Sequence, residues 1–352
     1  MNNYIEYSKV SDGLRFPLCV LVVLIHSGFG LSTKSLSLNI PNVVEYVIKD
    51  TVASFAVPTF FAISGYLFFY KIKDFGISCY KYKLRRRMRS LLVPYVIWNI
   101  FYFVLFALKA KYMSGGMYSA DTTDYDIGYL ITGLWSTYAY SGDNVPIYFA
   151  FWFVRDLMVI VLLSPIVYWG IKKLGIWFLG ILLIYAIICM TTSIIPNTIM
   201  PLAPLFFSIG SYLSITGREK FSLPASYLFA LYCILISVLF AIEYNTLNNK
   251  LFHYFIVLIG FPSLIFIGGY LNARIKIPKF FSESSFFVYA LHVFFLSITN
   301  KLLFTIFHPQ NQLSSILIFL SSITFAVILC CLAYNILKRF LPVLAKVLSG
   351  GR

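Results

Sequence analysis

Charged residues are scarce in this chain, and acidic ones are the scarcest. Asp and Glu together number 13 among 352 residues, and all charged residues make up only 12% of the sequence. Because soluble domains devote about 25% of their residues to charge, this composition excludes a water-soluble enzyme. The six cysteines are spread along the chain without metal-ligand spacing, so the sequence predicts neither a disulfide scaffold nor a metal centre.

Apolar residues take the place of the missing charge. They account for 60% of the chain, aromatic residues account for 19%, and the mean hydropathy is +0.83. A helix needs about 20 mainly apolar residues to cross a hydrocarbon core of about 30 Å. Ten stretches suit this role: 14–32, 51–70, 90–108, 148–169, 174–193, 198–214, 223–242, 252–271, 286–306 and 313–337. The sequence therefore predicts an all-α, polytopic integral membrane protein with about ten transmembrane helices.

The basic residues predict which side of the membrane each connection faces. The net charge is +15, and 20 of the 28 Lys and Arg residues fall in alternate connections on one side. Since short cytoplasmic loops are rich in Lys and Arg, that side is the cytoplasm, and both termini lie there. Residues 8–340 then form one integral membrane domain in which the long loop 109–147 is external. Topology accounts for the positive charge, so we expect no nucleic-acid partner.

The first span carries two polar residues that the bilayer makes costly. Arg15 and His26 are separated by eleven helical steps of about 100°, which leaves only about 20° beyond three turns. Both side chains would project from one face, about 16 Å apart along the axis. Arg15 also suits a topology anchor, and His26 also suits a hydrogen-bonded packing role.

The second span and the following connection carry a small pair and a basic segment. Ser64 and Gly65 would let a neighbouring backbone or a thin ligand approach closely, and helix packing alone explains such a pair as well. Guanidinium groups donate hydrogen bonds in paired geometry and suit several phosphates, although anionic lipid headgroups fit them equally. The basic segment comprises Arg85, Arg86, Arg87 and Arg89.

Two later spans hold further polar clusters. Trp152, Arg155 and Asp156 are spaced i, i+3 and i+4, so they share a helical face in the outer half of the membrane. A structural ion pair between the last two is the simpler interpretation. In the ninth span, Tyr289 and His292 share a face.

These motifs together resemble the membrane acyltransferase-3 family. The resemblance is carried, in sequential order, by Arg15 with His26, the stretch 61–67, the arginine cluster leading to Pro94, the stretch 152–157 and the stretch 289–292. It covers about residues 8–340. It implies a ten-helix enzyme that transfers an acyl group, usually acetyl, from acyl-coenzyme A to a hydroxyl of a glycan or a lipid-linked saccharide.

The expected depth of these residues in the membrane, together with the resemblance, suggests a role for each of them in binding the donor or in catalysis. We expect the coenzyme A phosphates to dock on the basic segment, and the pantetheine arm to pass Ser64 and Gly65 towards His26. His26 would remove the proton of the acceptor hydroxyl as the general base, or would form a covalent acyl-histidine. The candidate donors for the developing oxyanion are Tyr66, His292 and Arg15. Tyr289 and His292 are also expected to contact the acyl-coenzyme A.

The residues assigned to the acceptor are expected on the outer side; transfer to a lipid-linked precursor that faces the cytoplasm stays open and would leave Arg155 and Trp152 as structural residues. Trp152 offers an apolar face that stacks on sugar rings, and Arg155 with Asp156 could bind acceptor hydroxyls or phosphates. The resemblance implies acetyl-coenzyme A or another short acyl-coenzyme A as co-substrate, no tightly bound cofactor, and a bacterial inner membrane. We expect contacts with membrane lipids, and formation of a homo-oligomer stays open. A transporter or flippase of a lipid-linked saccharide stays open as an alternative, as does a non-catalytic sensor.

Overall fold

The computed structural model describes residues 4–27, 46–112, 125–192, 199–218, 220–247, 250–274 and 277–351. Most of these residues are helical. In chain order the helices are α1 (Tyr7–Ile25), α2 (Ala56–Phe69), α3 (Ile77–Tyr112), α4 (Ile127–Gly133), α5 (Tyr138–Ser141), α6 (Trp152–Leu162), α7 (Ser164–Leu174), α8 (Ile176–Thr191), α9 (Ala203–Ile215), α10 (Leu223–Leu247), α11 (Lys250–Arg274), α12 (Lys279–Phe307), α13 (Gln312–Phe340) and α14 (Pro342–Leu348).

Short irregular elements complete the chain. A π-helical turn, Tyr46–Val52, and a 3₁₀ turn, Ala53–Phe55, lead into α2, and a second 3₁₀ turn, Phe149–Phe151, leads into α6. Two three-residue strands, β1 (Tyr4–Glu6) and β2 (Lys220–Ser222), pair antiparallel. This ribbon joins the start of α1 to the start of α10.

By length and composition, four helical stretches of the described residues suit a membrane span. A fifth is a bent pair, and five helices are apolar but shorter. The four are Val47–Phe69, Ile77–Tyr112, Lys279–Phe307 and Gln312–Phe340; the bent pair is Phe149–Leu162 with Ser164–Leu174; the shorter helices are Gly13–Ile25, Ile176–Thr191, Ala203–Ile215, Ser226–Leu239 and His253–Gly268. The prediction of a helical, multi-pass membrane protein is confirmed, whereas the ten spans and the cytoplasmic termini stay predictions.

Two predicted spans differ from the helices that the structure shows. The span expected over 148–169 bends by 60° between α6 and α7, because Pro165 removes a backbone donor and clashes with a continuing helix. The span expected over 14–32 ends as a helix at Ile25. There the Ser27 hydroxyl donates to the Leu24 carbonyl at 2.7 Å, a local bond that competes with further helical pairing. Residues 28–32 lie outside the described ranges.

The core is built on close helix contacts. α1 packs against α2, α11 and α12, and α2 packs closely along α9. At Gly65 a Cβ atom would lie 1.9 Å from the Phe207 carbonyl oxygen, and at Gly210 it would lie 1.8 Å from that of Ala62. Since no side chain fits at either point, the two glycines allow the backbones of α2 and α9 to touch. α3 packs against α6 and against the C-terminal α14.

Candidate active site

A cavity of about 650 Å³ opens between α1, the end of α2, the first half of α3 and the C-terminal α14. We call it the basic cavity, because six of its lining side chains are cationic and no lining residue within the described ranges is acidic. The six are Arg15, Lys83, Arg86, Arg87, Arg89 and Lys346. Such a concentration of like charge attracts an anion, and guanidinium groups bind phosphate oxygens through paired hydrogen bonds.

The basic segment lines this cavity because it is helical. α3 begins at Ile77, 13 residues before the span expected from 90, so Lys83, Arg86 and Arg87 take the i, i+3 and i+4 positions of one helical face. The Lys83 ammonium donates to the Phe68 carbonyl at 3.0 Å and ties this face to the end of α2. Arg85 is exposed and is not among the lining residues. Three of the four predicted arginines, Arg86, Arg87 and Arg89, therefore line the cavity.

A pair of histidines lies further along α1. The imidazole rings of His26 and His292 stack with their centroids 5.1 Å apart and their planes 30° apart. The edge of Phe149 meets His26 at 5.0 Å between ring centroids. His292 is fully buried in α12, whereas His26 follows the last residue of α1 and is half-buried. The structure thus brings together two residues that the sequence placed in separate spans.

The hydrogen bond of His292 fixes what this side chain can do. Its Nδ1 lies 2.7 Å from the Tyr289 carbonyl oxygen, which can only accept, so Nδ1 carries the proton of the neutral ring. Its Nε2 is buried without a hydrogen-bond partner among the described residues. A neutral His292 therefore presents a lone pair to the site and cannot donate to an oxyanion from Nε2.

The turn that carries Phe149 is held from two sides. Asn99 of α3 accepts from the Tyr148 backbone N–H at 2.9 Å, and the Tyr148 ring stacks on Tyr102 with centroids 3.9 Å apart. On the α12 side, the Tyr289 hydroxyl donates to the Ala150 carbonyl. Tyr289 is therefore engaged in positioning the turn beside the histidine pair, and its ring stacks on Phe151.

Arg155 and Asp156 form a buried network with segment 135–144. The Arg155 Nε donates to Asp156 at 3.0 Å, and its Nη1 donates to the carbonyls of Trp135 at 2.8 Å and Asn144 at 3.1 Å. The second carboxylate oxygen of Asp156 accepts from the Met200 N–H at 2.8 Å. The guanidinium lies over the Trp135 ring at 5.3 Å. Both residues therefore hold segment 135–144 and the start of α9 in place, while Trp152 beside them is half-buried.

The small pair in α2 is part of a helix contact. Gly65 lies against α9, as described above, and Tyr66 is fully buried with its ring 5.3 Å from that of Tyr70. Ser64 is half-buried. These three residues do not line the basic cavity, which instead receives the next two, Leu67 and Phe68.

Sequence reasoning missed three contributors. Lys346 lies beyond the last predicted span, where a basic residue reads only as a topology signal. Phe149 is one aromatic residue among many, and nothing in the sequence marks it. Asn99 carried a usable signal, because an amide in the middle of an apolar run is costly unless it is paired.

Comparisons with known proteins agree with this picture. The sequence pattern of a family described as an acyltransferase domain matches residues 9–335. The chain is 26% identical over 324 residues to the succinoglycan biosynthesis protein ExoH of Rhizobium meliloti (strain 1021), a match that covers 87% of this chain and 81% of the relative. No solved structure matches the chain. The extent of the family match confirms the resemblance: the chain belongs to the acyltransferase-3 family.

Proposed function

We propose that this protein is a membrane O-acyltransferase that moves a short acyl group, acetyl in the simplest case, from acyl-coenzyme A to a hydroxyl of a saccharide. The observation that carries the proposal is the arrangement along α1. One part of this helix lines the basic cavity through Arg15, and its C-terminal end leads into His26, which stacks on His292. The basic cavity and the imidazole pair are thereby connected through α1.

The basic cavity suits the nucleotide end of the donor. Coenzyme A carries a pyrophosphate and a ribose phosphate, and the six cations that line the cavity would face these groups. Arg15 and Ile25, the last residue of α1, lie about 15 Å apart along the helix axis, and His26 follows directly, so a thin pantetheine arm would bridge Arg15 and His26. The thioester then reaches the histidine pair.

The reaction needs a proton acceptor at that point. The acceptor hydroxyl oxygen attacks the thioester carbonyl carbon, the C–S bond breaks, and an ester and the coenzyme A thiol form. His26 takes the hydroxyl proton and returns it to the departing sulfur, so no further reactant is needed. A two-step route, in which an imidazole nitrogen first takes the acyl group, uses the same residue and also balances.

His292 complements His26 as a hydrogen-bond acceptor. Its free Nε2 suits an N–H of the pantetheine arm or the O–H of the acceptor. In this assignment His292 accepts a hydrogen bond from a substrate. The remaining candidates for stabilising the oxyanion are therefore Tyr66 and Arg15. Of these, Arg15 lies on the basic cavity, so we assign it to the phosphates.

The acceptor is proposed to be a polysaccharide or its lipid-linked precursor, supported by the relative named for succinoglycan biosynthesis. Trp152 would stack on a sugar ring from the outer side. Arg155 and Asp156 would shape that side by holding segment 135–144. We therefore assign the protein to the bacterial inner membrane. The basic cavity would face the cytoplasm, and the acceptor would bind from the outer side.

Acetyl transfer to a cell-derived saccharide tests the proposal. The purified protein in nanodiscs is incubated with acetyl-coenzyme A labelled in the acetyl group and a lipid-linked saccharide fraction from the source cells. We expect label in the saccharide that mild base releases as acetate, together with free coenzyme A thiol. Saccharide movement across liposomes without any labelled ester would instead establish a transporter.

A further inference from the structure

The last described residues form a wall of the basic cavity that the family match does not include. The match ends at residue 335, whereas α14 and the turn after it run from Pro342 to Gly351. Lys346, Val347, Gly350 and Gly351 all line the cavity. This C-terminal segment, residues 342–351, therefore lines the basic cavity from beyond the residues that match the family.

The C-terminal segment is anchored on α3 next to the arginines. The indole N–H of Trp98 donates to the Leu348 carbonyl at 3.1 Å. Ser349 is fully buried and donates to the Ala345 carbonyl at 2.7 Å. A Cβ atom at Gly350 would lie 2.4 Å from the carbonyl oxygen of Ser90, so the turn touches the backbone of α3 directly. These contacts hold the C-terminal segment in a fixed position against α3.

The turn also explains the two glycines. Gly350 and Gly351 have φ angles of +75° and +80°, and the Gly351 N–H donates to the Lys346 carbonyl at 2.7 Å. A left-handed turn of this type closes the last carbonyls of a helix and favours glycine. It fixes the final turn of α14, and Lys346 with it, at the cavity.

Lys346 is then held at the cavity beside the other cations that line it. Its side chain is exposed, and no acidic side chain is found among the lining residues that the structure describes. Like charges held together repel one another until an anion binds. An ammonium group on a helix end that is seated by hydrogen bonds and close backbone contact suits a phosphate ligand.

We propose that the C-terminal segment is a wall of the donor site and that Lys346 binds a phosphate of the nucleotide end of coenzyme A. The inference rests on the proposed function, because it names a further ligand of the same donor. It also predicts that seating of the segment and occupation of the cavity stabilise each other, since the bound phosphate removes the repulsion between Lys346 and α3.

Binding of two donor fragments to matched variants tests this inference. Dissociation constants are measured for coenzyme A and for S-acetylpantetheine, which lacks the nucleotide phosphates, in nanodiscs of phosphatidylcholine. The variants are Lys346→Gln, Lys346→Arg, Arg87→Gln and, as the control, Lys173→Gln, an exposed Lys outside the cavity. Gly350→Val, which pushes a side chain into the Ser90 carbonyl, tests the seating itself.

We expect Lys346→Gln to weaken coenzyme A binding by about tenfold or more, as the loss of one hydrogen bond between charged groups does, with a shallower salt dependence. Lys346→Arg should restore binding, and S-acetylpantetheine affinity should not change. Gly350→Val should weaken coenzyme A binding in the same way. Lys173→Gln should match the wild type.

Different results would overturn different claims. If Arg87→Gln weakens coenzyme A binding and Lys346→Gln does not, the role of Lys346 is wrong while the donor cavity stands. If neither variant changes coenzyme A binding, the donor cavity itself is wrong. The measurement is repeated with phosphatidylglycerol in the nanodisc. An effect of Lys346→Gln that appears only with this anionic lipid would make the phosphate a headgroup and overturn the inference.

Discussion

The His292 ring uses its Nδ1 to bond the Tyr289 carbonyl at 2.7 Å and stacks its face on His26, with ring centroids 5.1 Å apart. The two histidines come from distant parts of the chain, one just past α1 and the other in the middle of α12. His292 donates from Nδ1, and its Nε2 has no hydrogen-bond partner among the described residues. The pair therefore supplies two imidazoles with distinguishable tasks.

A His292 variant that keeps the hydrogen-bond donor at Nδ1 and removes the acceptor at Nε2 tests this assignment. In His292→Asn the amide N–H can still reach the Tyr289 carbonyl, but no acceptor remains where Nε2 was. We expect a folded protein with acyl transfer reduced by about 10-fold to 100-fold, the effect of one lost buried hydrogen bond to substrate. His308→Asn is the control, because Asn tolerates the left-handed backbone at φ +39°. Wild-type turnover in His292→Asn would remove His292 from the site.

The arginines of α3 offer a comparison between neighbours. Arg86→Gln and Arg87→Gln each remove a cation from the basic cavity, whereas Arg85→Gln removes one that is exposed outside it. A charged hydrogen bond contributes about 1.5–3 kcal/mol, so each of the first two should weaken coenzyme A binding by about tenfold or more. Arg85→Gln should change it little. Equal losses in all three, measured by titration calorimetry, would indicate a general charge effect.

The Arg155–Asp156 pair is predicted to act on stability. Asp156→Asn leaves a buried guanidinium without its counter-charge, which costs about 3–5 kcal/mol. We expect a clearly lower Tm in detergent. The control is Lys338→Gln, which breaks an exposed pair with Glu283 worth about 0–1 kcal/mol. An unchanged Tm with a raised KM for the saccharide would instead make Asp156 a direct ligand of the acceptor.

The contact between α2 and α9 predicts a contrast among glycines. Gly65→Ala and Gly210→Ala each place a methyl group into a backbone carbonyl, and such overpacking costs about 1–3 kcal/mol. Gly180→Ala meets no atom within 4 Å and should leave stability unchanged or raise it. Thermal unfolding of the three variants checks the order. A Gly65→Ala protein as stable as Gly180→Ala would mean that the helices can separate freely at this point.

Much of the helical content was predictable from the sequence, because hydrophobic stretches have to be helical inside a bilayer. The run 313–337 lies within α13, and the run 286–306 lies within α12. Helix ends were less predictable. α1 ends at Ile25 through one hydroxyl bond of Ser27, and the fourth span breaks before Pro165. A single hydroxyl or proline hardly changes the hydropathy of a stretch, so hydropathy could not locate these helix ends.

The site was predictable as a set of residues more than as a geometry. Helical spacing put Arg15 and His26 on one face, although His26 lies just beyond the helix, where that angle no longer holds. The stacking of His26 on His292 depends on how α1 and α12 pack, which spacing along one helix does not specify. Lys346 reaches the cavity only because the C-terminal segment folds back onto α3.

The most direct test of the account compares His26→Ala with the wild type in one assay. Acetyl-coenzyme A binding and acetyl transfer are measured on the same purified samples, with His308→Asn as the control for loss of an unrelated histidine. General base catalysis supplies about 10²–10⁴-fold, so transfer by His26→Ala should fall by that factor while the Kd for acetyl-coenzyme A stays close to the wild-type value. Transfer at the wild-type rate in His26→Ala would contradict the account.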